Sequence, residues 1–512
     1  MRRLLPVSLV ILAASAFLYL ELFILPSTPV SMGPDQGIFL LNATRMVRGQ
    51  LIYRDFFEFI TPGIDLTYFA SFKLFGLQTW VPNALLWLVG VTMTYFVFAI
   101  SKKVINGWVA YLPALIFPTL AMRTALDGTH HWYSSLFAMA GILAVIEKRN
   151  PVRIAMAGTL FGLAGFFTQS RGVVAALGLS AFLLWEAREN KQDWAELVKQ
   201  ELWLLSAFAG ALAALLAYFV WKVGLGTLVQ SIVLFPALYY RADPPNQFQI
   251  YMALPPQLSA WSHVPTFAAW LFMHALIPFV YFLFLVRYWR VGRALAPEQR
   301  GRLMLLNFTG IFLFLGIATA PGWTRLSSIS MPGLILLVWL VNQSSKLGLI
   351  MTRSFAGVAL MFAVFAPLKL QRTHMYHQDL PAGRLAWSHE ADYEVARWLQ
   401  ERTEPWDFFF GGANRDFFFP LYLQDPAKVP FVGANAYTRP DHVQDLVESL
   451  ERFHVRYVLW QPMLAREHGK GDNLQPLREF LSKNYHVAHT FISSDEILER
   501  DESHATCRAE QR

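Results

Sequence analysis

The sequence predicts a polytopic α-helical membrane protein with a small α/β domain outside the bilayer, and three observations predict it. Of its 512 residues, 55% are hydrophobic, 15% aromatic and only 15% charged, with a mean hydropathy of +0.35. A soluble surface needs more polar residues than that. Apolar runs of spanning length recur along the chain, separated by short basic clusters. From about His374 the composition turns polar and the patterning changes.

The first apolar run, MRRLLPVSLVILAASAFLYLELFIL, has the charged start of a signal peptide, yet it continues to Leu25. At roughly 20 residues it has the length of a spanning helix rather than of a signal h-region. It is read as an uncleaved first span with Arg2 and Arg3 in the cytoplasm. Further spans are expected near 80–100, 107–123, 132–147, 153–169, 172–186, 201–222, 265–287, 303–320, 331–345 and 347–368, about eleven in all. Each must be helical, because backbone in lipid has to satisfy its own hydrogen bonds. If the spans alternate, Lys102 and Lys103, Lys148, Arg149 and Arg153, Arg188 and Lys191, Arg287 to Arg302, and Lys346 share one side. That side is the cytoplasm by the positive-inside rule, which places the chain in the cytoplasmic (inner) membrane with its N-terminus inside. The net charge of +7 is then a topology signal, and nucleic acid is not an expected partner.

Two outward loops, 26–79 and 223–264, are long and carry apolar, aromatic pieces such as IDLTYFASFKLFG and TLVQSIVLFPALYY, which suit helices lying in the membrane interface. The expected division is a transmembrane domain over 1–369 and an extracytoplasmic α/β domain over 370–512. In the latter, EADYEVARWLQERT has helical spacing and DFFFGG reads as a short buried strand; HVQDLVESLERF with VRYVLW, and LREFLSKNYHVAHTFI, repeat the helix-then-strand order. GGANRD lacks the G-x-G-x-x-G spacing of a dinucleotide site and reads as a turn. A single cysteine, Cys507, excludes an internal disulfide framework and a cysteine-based zinc site.

Chemistry concentrates in the first outward loop, GPDQGIFLLNATRMVRGQLIYRDFFEFITPGID, which holds Asp35, Arg45, Arg48, Arg54, Asp55, Glu58 and Asp65. Asp35, between Pro34 and Gly37, is either the N-cap of the helix that follows or a general base at the bilayer surface. Tyr53, Arg54, Asp55 and Glu58 either orient an acceptor or brace the loop. Elsewhere on the outward side, Arg171 in TQSRG and Arg325 in GWTRLSS interrupt apolar sequence at span ends. An unpaired charge there is expensive, and a bound anion would offset it; snorkelling, or pairing with Asp127 or Asp243, is the structural alternative. His130 and His131 are adjacent and expected to point to different faces of a helix, so with Asp127 they read as polar cavity lining. No cofactor is expected, and a divalent metal is allowed but not indicated.

The pattern D-x-G-x-x-x-x-x-A-x-x-x-x-x-G-x-x-x-Y-R-D-F-F-E followed by P-G, here Asp35, Gly37, Ala43, Gly49, Tyr53 to Glu58, Pro62 and Gly63, resembles the first outward loop of the GT-C superfamily of membrane glycosyltransferases. Within it, the bacterial ArnT, protein-mannosyltransferase and Rgt-like groups, which use polyprenyl-phosphate sugars, are the most similar. The resemblance implies a catalytic base at Asp35, a polyprenyl-phosphate-linked sugar donor and a glycan, lipid or protein acceptor. One carboxylate suffices for an inverting displacement, because the lipid phosphate is already a good leaving group. Family members commonly carry a lysine just before the proline of the P-G element, where this chain has Ile60 and Thr61. The donor phosphate is therefore expected on Arg171, Arg325, His130 and His131, with Lys73 and Arg241 as further cations on the same side. A transporter or flippase is the competing class, since it would also show many spans and intramembrane charge.

Overall fold

A computed structural model describes residues 4–31, 33–241, 246–248, 264–342, 346–414, 416–469 and 471–501. Arg2, Arg3, Asp243, Cys507 and the stretches 242–245 and 249–263 of the second outward loop lie outside them.

In chain order the elements are α1 (Leu4–Leu22), β1 (Phe23–Ile24), β2 (Thr28–Pro29), α2 (Pro34–Val47), α3 (Gly63–Phe75), α4 (Trp80–Val104), α5 (Leu112–Ile116), α6 (His130–Val145), α7 (Pro151–Phe167), α8 (Gln169–Glu189), α9 (Trp194–Val223) and α10 (Leu225–Val229). There follow α11 (Val264–Trp270), α12 (Ile277–Val291), α13 (Pro297–Leu315), α14 (Trp323–Ile329), α15 (Met331–Val341) and α16 (Lys346–Thr373). The polar end of the chain forms β3 (Tyr376–Leu380), β4 (Gly383–Trp387), α17 (Glu390–Arg402), β5 (Phe409–Phe410), α18 (Phe418–Leu421), α19 (Pro440–Arg452), β6 (Tyr457–Trp460), α20 (Pro462–Ala465), α21 (Gln475–Asn484), β7 (Tyr485–Thr490) and β8 (Glu496–Arg500).

Among the described residues each apolar run expected to span is largely helical, but the runs differ in length and regularity. Six helices among the described residues are long and apolar enough to cross a membrane, and a seventh arises if α14 and α15, bent by 63°, form one broken span. The others fall short for local reasons. Residues 108–125 alternate between 3-10, α and π turns around Pro113 and Pro118, and α6 and α7 have 16 and 17 residues. The polar start PEQRGR of α13 lowers its hydropathy.

The chain divides into two compact units. The first comprises Met1–Leu22, Ala84–Lys222 and Pro245–Gln371. There α6 packs on α7, α7 on α8 and α8 on α13, while α12 and α13 pack on α15. Close approach rests on small residues: a Cβ on Gly158 of α7 would lie 2.3 Å from the Leu204 carbonyl oxygen of α9, and one on Gly172 of α8 would lie 2.5 Å from that of Phe161. Without a hydrophobic drive between helices in lipid, such backbone contact is what packing relies on. Much of α9 faces outward, with Leu202, Trp203 and Trp221 more than half exposed, as a lipid-facing helix requires.

The second unit comprises Phe23–Asn83, Val223–Pro244 and Arg372–Arg512, so the first outward loop and the polar end of the chain share one folded body. Its sheet has the order β5-β6-β8-β7, with β5 parallel to β6 and the other pairs antiparallel. The helix-then-strand repeat is present, but β8 inserts between β6 and β7 and makes the sheet mixed. Side chains alternate across it: Phe409, Tyr457, Leu459 and Ile497 join one core, and Phe410, Val458, Trp460 and Leu498 the other. Leu41 of α2 belongs to the first core, beside Trp387, Phe417 and Leu421. Backbone contacts tie the same pieces together: Ser31 N–H donates to the Ala386 carbonyl at 2.9 Å, Phe57 N–H to Lys428 at 2.9 Å and Thr79 N–H to Ala382 at 2.9 Å.

Candidate active site

In the second unit, Gly33 is the N-cap of α2 and Pro34 the first helical residue, a position that proline suits because its missing N–H would have no intrahelical partner. Asp35 is therefore inside the first turn, not its cap, which corrects the capping alternative. Its side chain is exposed, and a carboxylate there is favoured by the helix dipole. Beside it opens a pocket lined by Gly33, Gln36, Gly37 and Leu40 from α2, by Thr79 and Asn83, and by Leu385, Asp416, Phe419 and Pro420 from the polar end of the chain.

The loop after α2 folds on itself. Gly49 has φ +93°, a conformation that favours glycine, and Tyr53 is also left-handed at φ +69°. The Tyr53 hydroxyl donates to the Ile60 carbonyl at 2.5 Å. Asp55 accepts from Leu51 N–H at 2.7 Å and pairs with Arg54 at 2.8 Å, and the Arg54 bond holds its carboxyl below the usual range. Glu58 is buried and accepts from the N–H groups of Phe59 and Ile60 at 2.8 and 3.1 Å. Its other oxygen accepts from Asn42 Nδ2 at 2.9 Å, and the same nitrogen donates to Asp65 Oδ1 at 3.0 Å. Burial pushes the Glu58 carboxyl up to about 7 and Asp65 well above its usual value, with Glu58 adding to the latter shift. The hydrogen bonds of Tyr53, Asp55 and Glu58 thus brace the loop. Asp65 and Asn42 complete that brace and were not singled out from sequence; the signal was available only as one more acid in a crowded loop.

In the first unit, a second cluster forms where three helix starts meet. Arg171, on the first turn of α8, is 3% exposed and its Nη1 donates to the His131 carbonyl at 2.9 Å, Ser135 Oγ at 2.6 Å and Ser328 Oγ at 2.9 Å. Among the described residues no carboxylate pairs with it. Arg325, on α14, donates to the Ala320 carbonyl at 2.8 Å and to Asn246 Oδ1 at 3.1 Å. The rings of His130 and His131 do not diverge as expected: their centroids are 4.0 Å apart. Both residues occupy the first turn of α6, where His130 Nδ1 bonds Thr168 Oγ1 at 2.7 Å and His131 Nδ1 is buried without a partner. Two guanidiniums, two imidazoles and the hydroxyls of Ser135, Thr168 and Ser328 make a donor-rich cluster suited to an anion. The hydroxyls were missed in the sequence because serine and threonine at helix ends are too common to signal anything. Lys73 is exposed at the end of α3 and reaches the Val47 carbonyl at 3.4 Å.

The fold has clear precedents. It is similar to that of ArnT from Cupriavidus metallidurans bound to undecaprenyl phosphate, with a TM-score of 0.61 at 14% identity over 97% of this chain and 98% of that one. The apo form of the same protein aligns with a TM-score of 0.60 at 13% identity, covering 98% and 99% of the two chains. The archaeal oligosaccharyltransferase AglB from Archaeoglobus fulgidus, in complex with an inhibitory peptide and a dolichol-phosphate, aligns with a TM-score of 0.52 at 12% identity over 97% of this chain and 74% of that one. These are GT-C superfamily proteins, and the chain has the GT-C fold of a multi-pass membrane protein, as the first-loop motif implied. No protein-family model matches the chain, and no curated protein matches it in sequence.

Proposed function

We propose that this chain is an inverting glycosyltransferase that moves a sugar from a polyprenyl-phosphate donor to a hydroxyl of a glycan, lipid or protein at the outer face of the cytoplasmic membrane. The observation that carries this reading is an exposed carboxylate, Asp35, in the first turn of the first-loop helix of a GT-C fold. Asp35 takes the proton of the acceptor hydroxyl as its oxygen attacks the anomeric carbon. The bond from that carbon to the phosphate oxygen breaks, and the polyprenyl phosphate leaves with the electron pair. Negative charge then grows on the phosphate, and Arg171, Arg325, His130 and His131 are its candidate partners; what supports this is that Arg171 is buried among hydroxyl and carbonyl partners. Tyr53, Arg54, Asp55 and Glu58 act by holding the loop rather than by touching the acceptor. In this reading the shorter apolar helices also cross the bilayer, for about eleven spans, and residues 370–512 lie outside it. No cofactor is required by this chemistry.

The test uses the purified full chain in lipid nanodiscs with undecaprenyl-phosphate-linked hexoses and pentoses as donors. Wild type consumes at least one donor. Asp35→Asn lowers transfer by about 10²–10⁴-fold, the span of general-base catalysis, with an unchanged melting temperature. Arg171→Met instead weakens binding of undecaprenyl phosphate by about tenfold or more, the worth of a charge-assisted hydrogen bond. Transfer that survives in Asp35→Asn removes the base assignment, and a wild type that consumes no lipid-linked sugar removes the enzyme.

A further inference from the structure

We propose that the last turn of α12 and the 3-10 turn after it, Gly292–Ala294, form a headgroup site for an anionic phospholipid, with Arg290 and Arg293 on its phosphate and Trp289 at its side. The inference concerns the lipid-facing surface of the first unit and does not depend on the glycosyl-transfer reading.

Residues Val264–Ala294 make one apolar stretch of 31 residues, long enough to cross a bilayer. Within it α12 has two distinct sides. Ile277, Val280, Tyr281 and Phe284 are buried, while Phe279, Phe282, Val286 and Trp289, spaced three and four apart and so on one helix face, are exposed. On a spanning helix such a row faces lipid. Trp289 ends the row and is 91% exposed. A tryptophan at the end of a span marks the headgroup level, because its ring is apolar and its N–H is not. Tyr288 turns the other way: its ring lies over Gly292, where a Cβ would come within 2.9 Å of it. The chain leaves the helix there, with Arg290 and Arg293 both exposed and Arg287 half-buried one turn earlier.

Charge around these arginines is unbalanced. The glutamates at this end of the first unit already hold bases: Glu147 pairs with Lys103 at 2.5 Å, Glu186 with Arg149 at 2.7 Å, Glu189 with Arg300 at 2.9 Å and Glu298 with Arg302 at 3.3 Å. Among the described residues no carboxylate pairs with Arg287, Arg290 or Arg293. Guanidiniums so close in sequence repel one another, and an anion at their level relieves the repulsion. Two features favour a phospholipid as that anion. Trp289 sets the arginines at the depth where bilayer phosphates lie, and a guanidinium fork matches a pair of phosphate oxygens. An arginine at the carbonyl end of a helix also suits the helix dipole, and basic residues at a span end also set topology. Neither of those roles needs a particular lipid, so lipid selectivity separates them from the site proposed.

The test titrates full-chain protein in detergent with dioleoylphosphatidylglycerol, dioleoylphosphatidylcholine and undecaprenyl phosphate, and reads lipid adducts by native mass spectrometry. Wild type binds its first phosphatidylglycerol more tightly than phosphatidylcholine. Arg290→Gln combined with Arg293→Gln weakens that first adduct by about thirtyfold, the worth of two basic charges at a membrane surface, and leaves phosphatidylcholine and undecaprenyl phosphate unchanged. Arg171→Met leaves phosphatidylglycerol unchanged. The melting temperature in lipid-free detergent checks that the double variant is folded; should it fall, Arg293→Gln alone, in the turn beyond the helix, takes its place with an expected loss of about fivefold. A wild type without preference for phosphatidylglycerol overturns the proposal, and so does a variant that keeps the preference. Equal loss of undecaprenyl phosphate in the variant also overturns it, because the site then belongs to the donor lipid. Whether Asp35→Asn abolishes transfer bears on none of these outcomes.

Discussion

Asn42 donates to two acids at once, Glu58 and Asp65, and both carboxyls are withdrawn from water. One amide cannot offset two buried negative charges, so the folded loop keeps a proton on the pair at pH values where free carboxylates have lost theirs. The consequence for stability has a definite sign. Between the ordinary glutamate value of 4.5 and about 7, the unfolded chain releases a proton that Glu58 retains, so stability falls as pH rises through that window. Melting temperatures of the full chain are expected to show a decline over this range in wild type. Asp65→Asn removes one of the two acids and should gain stability relative to wild type as pH rises to 7. Parallel pH profiles for the two proteins would refute this account of the pair. Glu58 was visible in the sequence as a loop acid; the environment that raises its pKa was not, since burial depends on residues far along the chain.

Helix ends carry most of the candidate chemistry, and the reason is local. The break at Thr168, which has extended φ and ψ of −147° and 107°, lets α8 start afresh and puts Arg171 on a first turn. Arg171 can then reach α6 and α14, because Gly172 keeps α8 in backbone contact with α7. The sequence showed the break as two short apolar runs meeting near Ser170, and the break falls within two residues of it. It did not show that three helix starts gather there. Gly172→Val would place a branched side chain against the Gly165 backbone and the Phe161 carbonyl, with an expected loss of about 1–3 kcal/mol, typical of overpacking, or more if the helices separate. The displaced Arg171 would lose its serine contacts. Thermal melting in detergent together with undecaprenyl phosphate binding tests this, and a variant unchanged in both would show that the close contact is not needed.

Over the whole chain, the second unit is assembled from three separated segments. Leu41 of α2 sits in a core otherwise built from residues beyond 379, and Arg45 Nη2 donates to the Ala427 carbonyl at 2.6 Å. Removing residues 374–512 should therefore do more than delete a domain. The first loop would lose walls of the pocket beside Asp35, its backbone partners at 386 and 428, and the core that Leu41 joins. Limited trypsinolysis of the truncated protein is expected to cut after Arg45, Arg48 or Arg54, sites that the full chain protects at Arg45, which is buried. A truncated chain that stays uncut at Arg45 would show that the loop holds its fold alone.

Composition and periodicity were sufficient for what is decided within one segment. The helical runs, their break points, the polar end with its helix-then-strand order and the first-loop motif are all legible because lipid burial, chain turns and helix starts impose patterns on neighbouring residues. Tertiary structure alone decided which segments share a core, that the strand at 496–500 separates two others, that Glu58 and Asp65 meet on one asparagine, and that Asp416 comes to the pocket beside Asp35. Those facts depend on side-chain and strand contacts between segments separated in sequence, by 16 and 23 residues for Asn42 and by hundreds for the pocket, and such a contact leaves no periodic trace in either partner.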